Sequence, residues 1–224
     1  MPASELNPLF QVGLDVRHRR CLVIGGGSEA QDKTGRLLDA GAEVLIVSPD
    51  LTAALEKHVS EGRLQANRRR YRPWDLDGAF LVMNTVRGDA DLAERVFAAA
   101  ESCGIMVNTY DDLSHSHFGM AALVCVGRLR VSISTSNASP TLSSRLRQDL
   151  EGLFDTEFGE FLEELGHARV LLKELVPDFT SRRQVLRELV EGAGLQGHFQ
   201  LPDNWRKRID MALTMARTSH KKTR

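Results

Sequence analysis

Gly25-Gly26-Gly27-Ser28-Glu29-Ala30 fits the pattern G-x-G-x-x-A, directly after a β-branched apolar run and at the start of a helical pattern. Glycines at these places let the turn tighten and let a pyrophosphate approach the backbone. The free N–H groups and the positive end of the following helix then stabilise its charge. A tight glycine turn without ligand is the other reading, and the strand before, the helix after and the spacing together favour dinucleotide binding. A ribose-binding acid is expected about twenty residues further on, at the tip of the second strand. Val47-Ser48-Pro49-Asp50 stands there. Asp50 is slightly late and follows a proline, so it reads as the ribose partner or as a helix N-cap. No arginine sits at this tip, which favours NAD over NADP.

A second constellation, Asn108-Thr109-Tyr110-Asp111-Asp112, falls at the carboxyl end of an apolar strand, the edge where such sheets bind ligands. An aspartate beside a nicotinamide ring can take a proton while hydride leaves, and two adjacent aspartates are expected to raise one another's pKa. A solvated loop aspartate is the alternative. His115 and His117 could complete a metal cluster with these acids. His-x-His in a serine-rich loop, with no further ligand at diagnostic spacing, reads instead as solvated, and no metal site is expected. Residues 132–140 form a hydroxyl-rich loop ending in Ser139-Pro140. It offers donors to the carboxylates of a ligand, or simply an N-cap for the helix that Pro140 opens.

These groups need a scaffold, and the first hundred residues supply the alternation of strands and helices that marks a parallel sheet with crossover helices. Strands are expected at 20–24, 43–47, 64–70, 79–85 and 105–110. Helices are expected over a stretch with Ala30, Thr34, Leu37 and Leu38 stopped by Gly41, over 51–58, and over 90–103. After Asp112 the rhythm changes. The runs 120–126 and 129–134 flank Gly127-Arg128, a pair suited to an antiparallel hairpin. From Pro140 onward apolar residues recur at helical spacing: Leu142, Leu146, Leu150 and Leu153; Phe158, Phe161, Leu162, Leu165, Leu172 and Leu175; Leu186, Leu189 and Val190; Trp205, Ile209 and Leu213. Residues 219–224 read as a solvated basic tail. The fold class is α/β: a Rossmann-like parallel sheet, then a hairpin segment and a helical C-terminal lobe. The corresponding divisions are 1–112, 113–151 and 152–224.

Composition narrows the function classes. A chain of 224 residues is about one and a half domains long and buries roughly 70% of its unfolded surface. Twenty-nine Lys+Arg against thirty Asp+Glu leave a formal charge of -1, which argues against bulk phosphate neutralisation and a nucleic-acid partner. The run Arg68-Arg69-Arg70-Tyr71-Arg72 with Trp74 is then a solvated strand edge or a site for an acidic small molecule. No apolar run approaches a membrane span, and residues 1–10 lack a basic segment followed by an apolar one, so no membrane partner is expected and the cytoplasm is the default. Cys21, Cys103 and Cys125 stand far apart with no CxxC pair and read as buried thiols.

Taken in order, these motifs resemble the precorrin-2 dehydrogenase family, of the siroheme synthase N-terminal type. Its glycine triplet with the following x-Val-Ala-x-Arg-Lys is matched by residues 25–33, and its Ser-Pro-Asp/Glu by Ser48-Pro49-Asp50. Its Asp-Leu-x-Gly-Ala-x-Leu-Val is matched by 75–82, its Val-Asn-x-x-Asp-Asp by 107–112, and its Ser-rich loop by 132–140, followed by Arg145-Leu146-Arg147. The similarity covers residues 7–151. It implies NAD-dependent oxidation of precorrin-2 to sirohydrochlorin, in siroheme or related tetrapyrrole synthesis. It also implies a homodimer formed through the hairpin and following helix, with a tetrapyrrole cleft beside the cofactor domain. The family's functional aspartate falls on Asp111, as proton acceptor or orienting group. Cofactor contacts fall on Gly25, Gly26, Gly27, Ser28, Glu29, Pro49, Asp50, Thr85, Val86 and Asn108, and substrate contacts on Ser134, Thr135 and Asn137.

The chain departs from the family pattern in ways that bear on binding. Glu29 replaces a usual Val and Asp32 a usual Arg, so two acids flank the anion-binding turn. Arg87 follows Thr85-Val86 where the family has Ala-Ala-Thr, and is placed to reach a phosphate in compensation. Leu113 and Ala121 stand for prolines, and Asn137 for a glycine. Some relatives also insert iron into sirohydrochlorin through the same aspartate, so a bifunctional dehydrogenase and ferrochelatase stays open. The altered charges also leave open a non-catalytic nucleotide- or tetrapyrrole-binding module.

Overall fold

The computed structural model describes residues 9–136 and 138–195. Five parallel strands, β1 (Arg20–Ile24), β2 (Glu43–Val47), β3 (Gln65–Asn67), β4 (Leu81–Asn84) and β5 (Met106–Thr109), form one sheet in the order β3-β2-β1-β4-β5. Helices α1 (Ser28–Asp39), α2 (Ala53–Ser60) and α3 (Ala90–Cys103) make the crossovers. β1, β2 and β4 read as nearly unbroken apolar runs because both faces are covered. Cys21, Val23, Val44 and Ile46 pack with Ala30 and Leu37 of α1 and Leu55 of α2. Leu22, Ile24, Leu45 and Val47 face the other way with Val82, Leu92, Val96 and Ala100. Strand period two thus sends alternate residues of each strand to different cores.

The helix ends follow from their residues. Gly41, at φ +81°, lies just past α1. Ala42 N–H donates to Leu37 O and Gly41 N–H to Leu38 O, both at 3.0 Å, the paired bonds of a Schellman motif. A 3-10 turn (Pro73–Leu76) precedes β4. Beyond the parallel sheet, β6 (Ala122–Val126) and β7 (Leu129–Ile133) form an antiparallel hairpin, and α4 (Pro140–Glu151) packs on β6. Helices α5 (Thr156–Leu175) and α6 (Phe179–Glu188) follow, and neither buries a residue. The chain divides into two compact units, Met1–Leu162 and Glu163–Arg224. No helix among the described residues is long and apolar enough to cross a membrane.

Several expectations need correction. The third strand is confined to Gln65–Asn67 rather than 64–70, because Arg69 N–H donates to Asn67 O and bends the chain out of the sheet. The second helix starts at Ala53 rather than at residue 51, since Thr52 is its N-cap and accepts from Leu55 N–H at 3.3 Å. Only Cys21 is a buried thiol. Cys103 ends α3 and Cys125 lies on the face of β6 opposite buried Val124, so both are exposed. The Trp205, Ile209, Leu213 stripe, the basic tail and Asn137 lie outside the described residues.

Candidate functional site

Strand order reverses between β1 and β4, and the glycine turn leaves β1 at this switch point. Gly25 has φ +109° and its N–H donates to Val47 O at 3.0 Å. A Cβ there would meet the Thr85 hydroxyl, and one on Gly26 would collide with the Asp50 carbonyl oxygen, backbone that cannot yield cheaply. Gly27 differs: nothing lies within 4 Å of its Cβ position, and as N-cap it supplies no side-chain partner to the first N–H groups of α1. The turn therefore has the open cradle and unclaimed donors that a pyrophosphate needs, and the residues fit a dinucleotide.

The other cofactor candidates gather around this turn to different degrees. Thr85 is buried, and its hydroxyl donates to Ile24 O at 2.8 Å, tying β4 to β1 behind Gly25. Val86 adjoins Gly25, and its N–H donates to Asn84 Oδ1 at 3.3 Å. Pro49 and Asp50 are exposed at the tip of β2. Thr52 takes the capping that Asp50 could have supplied, and its hydroxyl donates to Gln31 Oε1 at 2.9 Å.

Beside the turn opens a cleft of about 650 Å³, lined in part by Glu29, Lys33, Asn108, Tyr110, Asp111 and Ser134. The structure thus brings the start of α1, the end of β5 and the Ser-rich loop to one place. Asp111 adopts φ +53°, a left-handed conformation that aspartate tolerates better than most residues. Its carboxylate has no hydrogen-bond partner among the described residues. Asn108 Nδ2 donates to Phe118 O at 2.8 Å. Ser134 Oγ accepts from Ser136 N–H at 3.1 Å. Thr135 lies instead in a neighbouring cavity of about 150 Å³, with its hydroxyl bonded to Ser139 O and Ser143 Oγ at 3.1 Å each. Ser139 caps α4, accepting from Leu142 N–H at 3.1 Å.

The Asp112 carboxyl is lowered rather than raised. The Ser114 hydroxyl, donating to Asp112 Oδ1 at 2.6 Å, and then His115 hold the Asp112 carboxyl below its ordinary value against the opposing effect of burial. The histidines are ties in the fold rather than solvated residues. His115 Nδ1 is 2.6 Å from Asp112 Oδ2. His117 Nδ1 accepts from Val107 N–H at 3.0 Å, which leaves the hydrogen on Nε2, 2.5 Å from Glu101 Oε1. Its ring stacks on Phe97 with centroids 4.8 Å apart. Among the described residues no group of three His, Cys, Asp or Glu is gathered to hold a metal. Arg68, Arg70 and Arg72 of the arginine run are exposed, as a solvated edge requires, while two of its members are tied to acids. Arg68 pairs with Glu56 through both nitrogens, and Arg69 with buried Asp75 at 2.8 and 2.5 Å.

The two acids flanking the turn are neutralised. Glu29 Oε1 is 3.0 Å from Lys33 Nζ, and Asp32 Oδ2 is 3.2 Å from the same nitrogen and 3.9 Å from Arg36. Lys33, Gln11 and Leu9 line the cleft without having been singled out from the sequence. Lys33 was legible, since it stands four residues after Glu29 on one helix face. Gln11, whose Oε1 accepts from Ser132 Oγ at 3.1 Å, belongs to a segment with no periodicity to betray it.

Fold and site together define a Rossmann-like dinucleotide-binding protein. Residues 12–122 match a family model described as "Putative NAD(P)-binding". The chain is 33% identical over 183 residues to the siroheme synthase of Chromobacterium violaceum, covering 82% of this chain and 39% of that protein. It is 31% identical over 181 residues to the siroheme synthase of Acinetobacter baylyi, covering 81% and 40%. The chain therefore spans about two fifths of the length of these curated relatives. A solved structure of SirC, precorrin-2 dehydrogenase, superposes with a TM-score of 0.68 at 26% identity, over 82% of this chain and 90% of that one. By sequence and by structure the chain is similar to these siroheme synthases and to SirC over about four fifths of its length.

Proposed function

We propose that this chain is an NAD-dependent dehydrogenase that oxidises precorrin-2 to sirohydrochlorin. The observation that carries the reading is the carboxylate of Asp111, without a hydrogen-bond partner among the described residues, in a cleft also lined by Glu29 of the helix turn that follows the glycines. NAD, when bound, supplies the two-electron acceptor. Residues 1–112 hold it: Gly25, Gly26, Gly27, Ser28 and the backbone N–H of Glu29 at the pyrophosphate, Pro49 and Asp50 at the ribose, and Thr85, Val86 and Asn108 beyond them. The exposed Asp50 carboxylate suits a ribose hydroxyl and opposes a 2′-phosphate, which supports NAD over NADP. The nicotinamide would accept the hydride with its electron pair, and Asp111 would take the proton that the macrocycle loses and release it to solvent.

Ser134 in the cleft, Thr135 in the cavity beside it and Asn137 are assigned to the tetrapyrrole, in the segment 113–151 that also pairs two copies. A two-stranded hairpin is marginal alone, and Leu142 and Leu153 beside it are exposed, which supports a homodimer there. Residues 152–224 are assigned to a helical lobe, of which α5 and α6 are the described helices. Free thiols at Cys21, Cys103 and Cys125 suit a reducing, cytoplasmic setting.

Anaerobic mixing of the purified chain with precorrin-2 and NAD tests the reading. NADH and the sirohydrochlorin spectrum are expected to appear together, and their absence, with both substrates intact, overturns it. Sedimentation velocity tests the dimer separately.

A further inference from the structure

Arg87 stands at the mouth of the glycine turn, on the loop after β4, between groups from two other elements. Its guanidinium lies over the Tyr110 ring, 4.3 Å from the centroid, and one nitrogen is 3.8 Å from Glu29 Oε2. Glu29 belongs to the first turn of α1, and Tyr110 follows β5. Neither hold is tight. The separation from Glu29 exceeds a hydrogen bond, and the Arg87 side chain is 64% exposed, where ion pairs and cation–π contacts are weakest. Nor does Glu29 depend on Arg87, since its other oxygen keeps Lys33 at 3.0 Å. A loosely held cation beside unclaimed helix N–H groups is one that a stronger anion can draw away. Phosphate oxygens accept parallel N–H bonds from a guanidinium fork, a geometry the Glu29 contact lacks.

We propose that Arg87 is a pyrophosphate-binding residue held in reserve: when a dinucleotide enters the turn, its guanidinium leaves Glu29 and Tyr110 for the pyrophosphate oxygens. Glu29 is then a competitor for the same cation, and its carboxylate sets how readily Arg87 is released. The inference rests on the dinucleotide reading above and adds the group that opposes and the group that completes the anion site.

Calorimetric titration of the full chain with NAD and with adenosine, which carries no phosphate, tests it at low and high salt. Arg87→Ala and Arg87→Gln are expected to weaken NAD about tenfold, the scale of one charge-assisted contact. Both variants should leave adenosine unchanged and flatten the salt dependence of NAD affinity. Arg87→Lys should fall between them and the unaltered chain, and Glu29→Gln should tighten NAD about twofold to threefold by removing the competitor. NAD binding by Arg87→Ala as tight as by the unaltered chain overturns the proposal and leaves the dinucleotide reading standing. Equal weakening of adenosine also overturns it, because the effect would then be structural. An unaltered chain that binds no NAD overturns the dinucleotide reading and the proposal with it.

Discussion

The Asp112 carboxylate and the His115 imidazole meet at 2.6 Å, and the loop between β5 and β6 closes around this pair. Asp112 Oδ1 accepts from Ser114 N–H and Oγ–H and from His115 N–H, while Thr109 N–H donates to Ser116 Oγ at 2.8 Å. The neighbouring Asp111 is thereby held at φ +53° with its own carboxylate left to the cleft. One aspartate builds the loop and the other lines the cleft.

Asp112→Ala removes the acceptor that gathers these donors. It is expected to destabilise the fold by about 1–2 kcal/mol, read as a lower midpoint in urea. Turnover should fall because Asp111 is no longer held in place, while NAD affinity stays near that of the unaltered chain.

Asp111→Ala tests the proton acceptor itself. Since its carboxylate is bonded to no described group, melting temperature should hardly change. Turnover of precorrin-2 is expected to fall about a hundredfold or more, the usual scale of a lost general base. Asn at this position should be as poor as Ala, and equal turnover by either variant would remove Asp111 from the chemistry.

Two glycine substitutions separate folding from binding. Gly26→Ala drives a Cβ into the Asp50 carbonyl and is expected to cost about 1–3 kcal/mol of stability. Gly27→Ala meets no atom within 4 Å, so melting should be unchanged, but its methyl occupies the cradle and calorimetry should show weakened NAD binding.

Stability should depend on acid through Asp75. Burial raises its pKa, and the Arg69 guanidinium and Arg72 N–H more than offset this, so the net shift is downward from 3.8. A carboxyl lowered in the folded state adds stability that is present above its unfolded value and lost as pH falls through the folded one. The contribution is therefore complete at neutral pH and disappears below about pH 4. Asp75→Asn should flatten the stability curve in that acid range, measured by urea unfolding at a series of pH values.

Thiol labelling distinguishes the three cysteines. Burial pushes the Cys21 thiol up to about 11, and its side chain is closed to solvent. Iodoacetamide should modify Cys103 and Cys125 in the native chain and reach Cys21 only in denaturant, with mass spectrometry locating each adduct.

Much of the scaffold is written in short-range order. Runs such as Cys21-Leu22-Val23-Ile24 serve two cores because alternate residues of a strand face opposite ways, and Gly41 ends α1 because a left-handed residue is needed there. These properties belong to a few neighbouring residues, so the five strands, the glycine turn and the Gly127-Arg128 hairpin are legible without coordinates. Strand ends are less so, as the bend that releases Arg68 and Arg69 from β3 depends on Glu56 and Asp75, which lie outside the strand.

Pairings between distant residues were decided only by the tertiary structure. Nothing local says that Arg87 rests on Tyr110 or that His117 ties to Glu101. A side chain's type limits which partners it can take, but its partner is whichever complementary group the packed elements bring within a few ångströms. Hence residue identities and spacing alone made Asp111 a candidate, whereas the loop that Asp112 closes, which leaves the Asp111 carboxylate free, exists only once β5, α3 and the following segment are folded together.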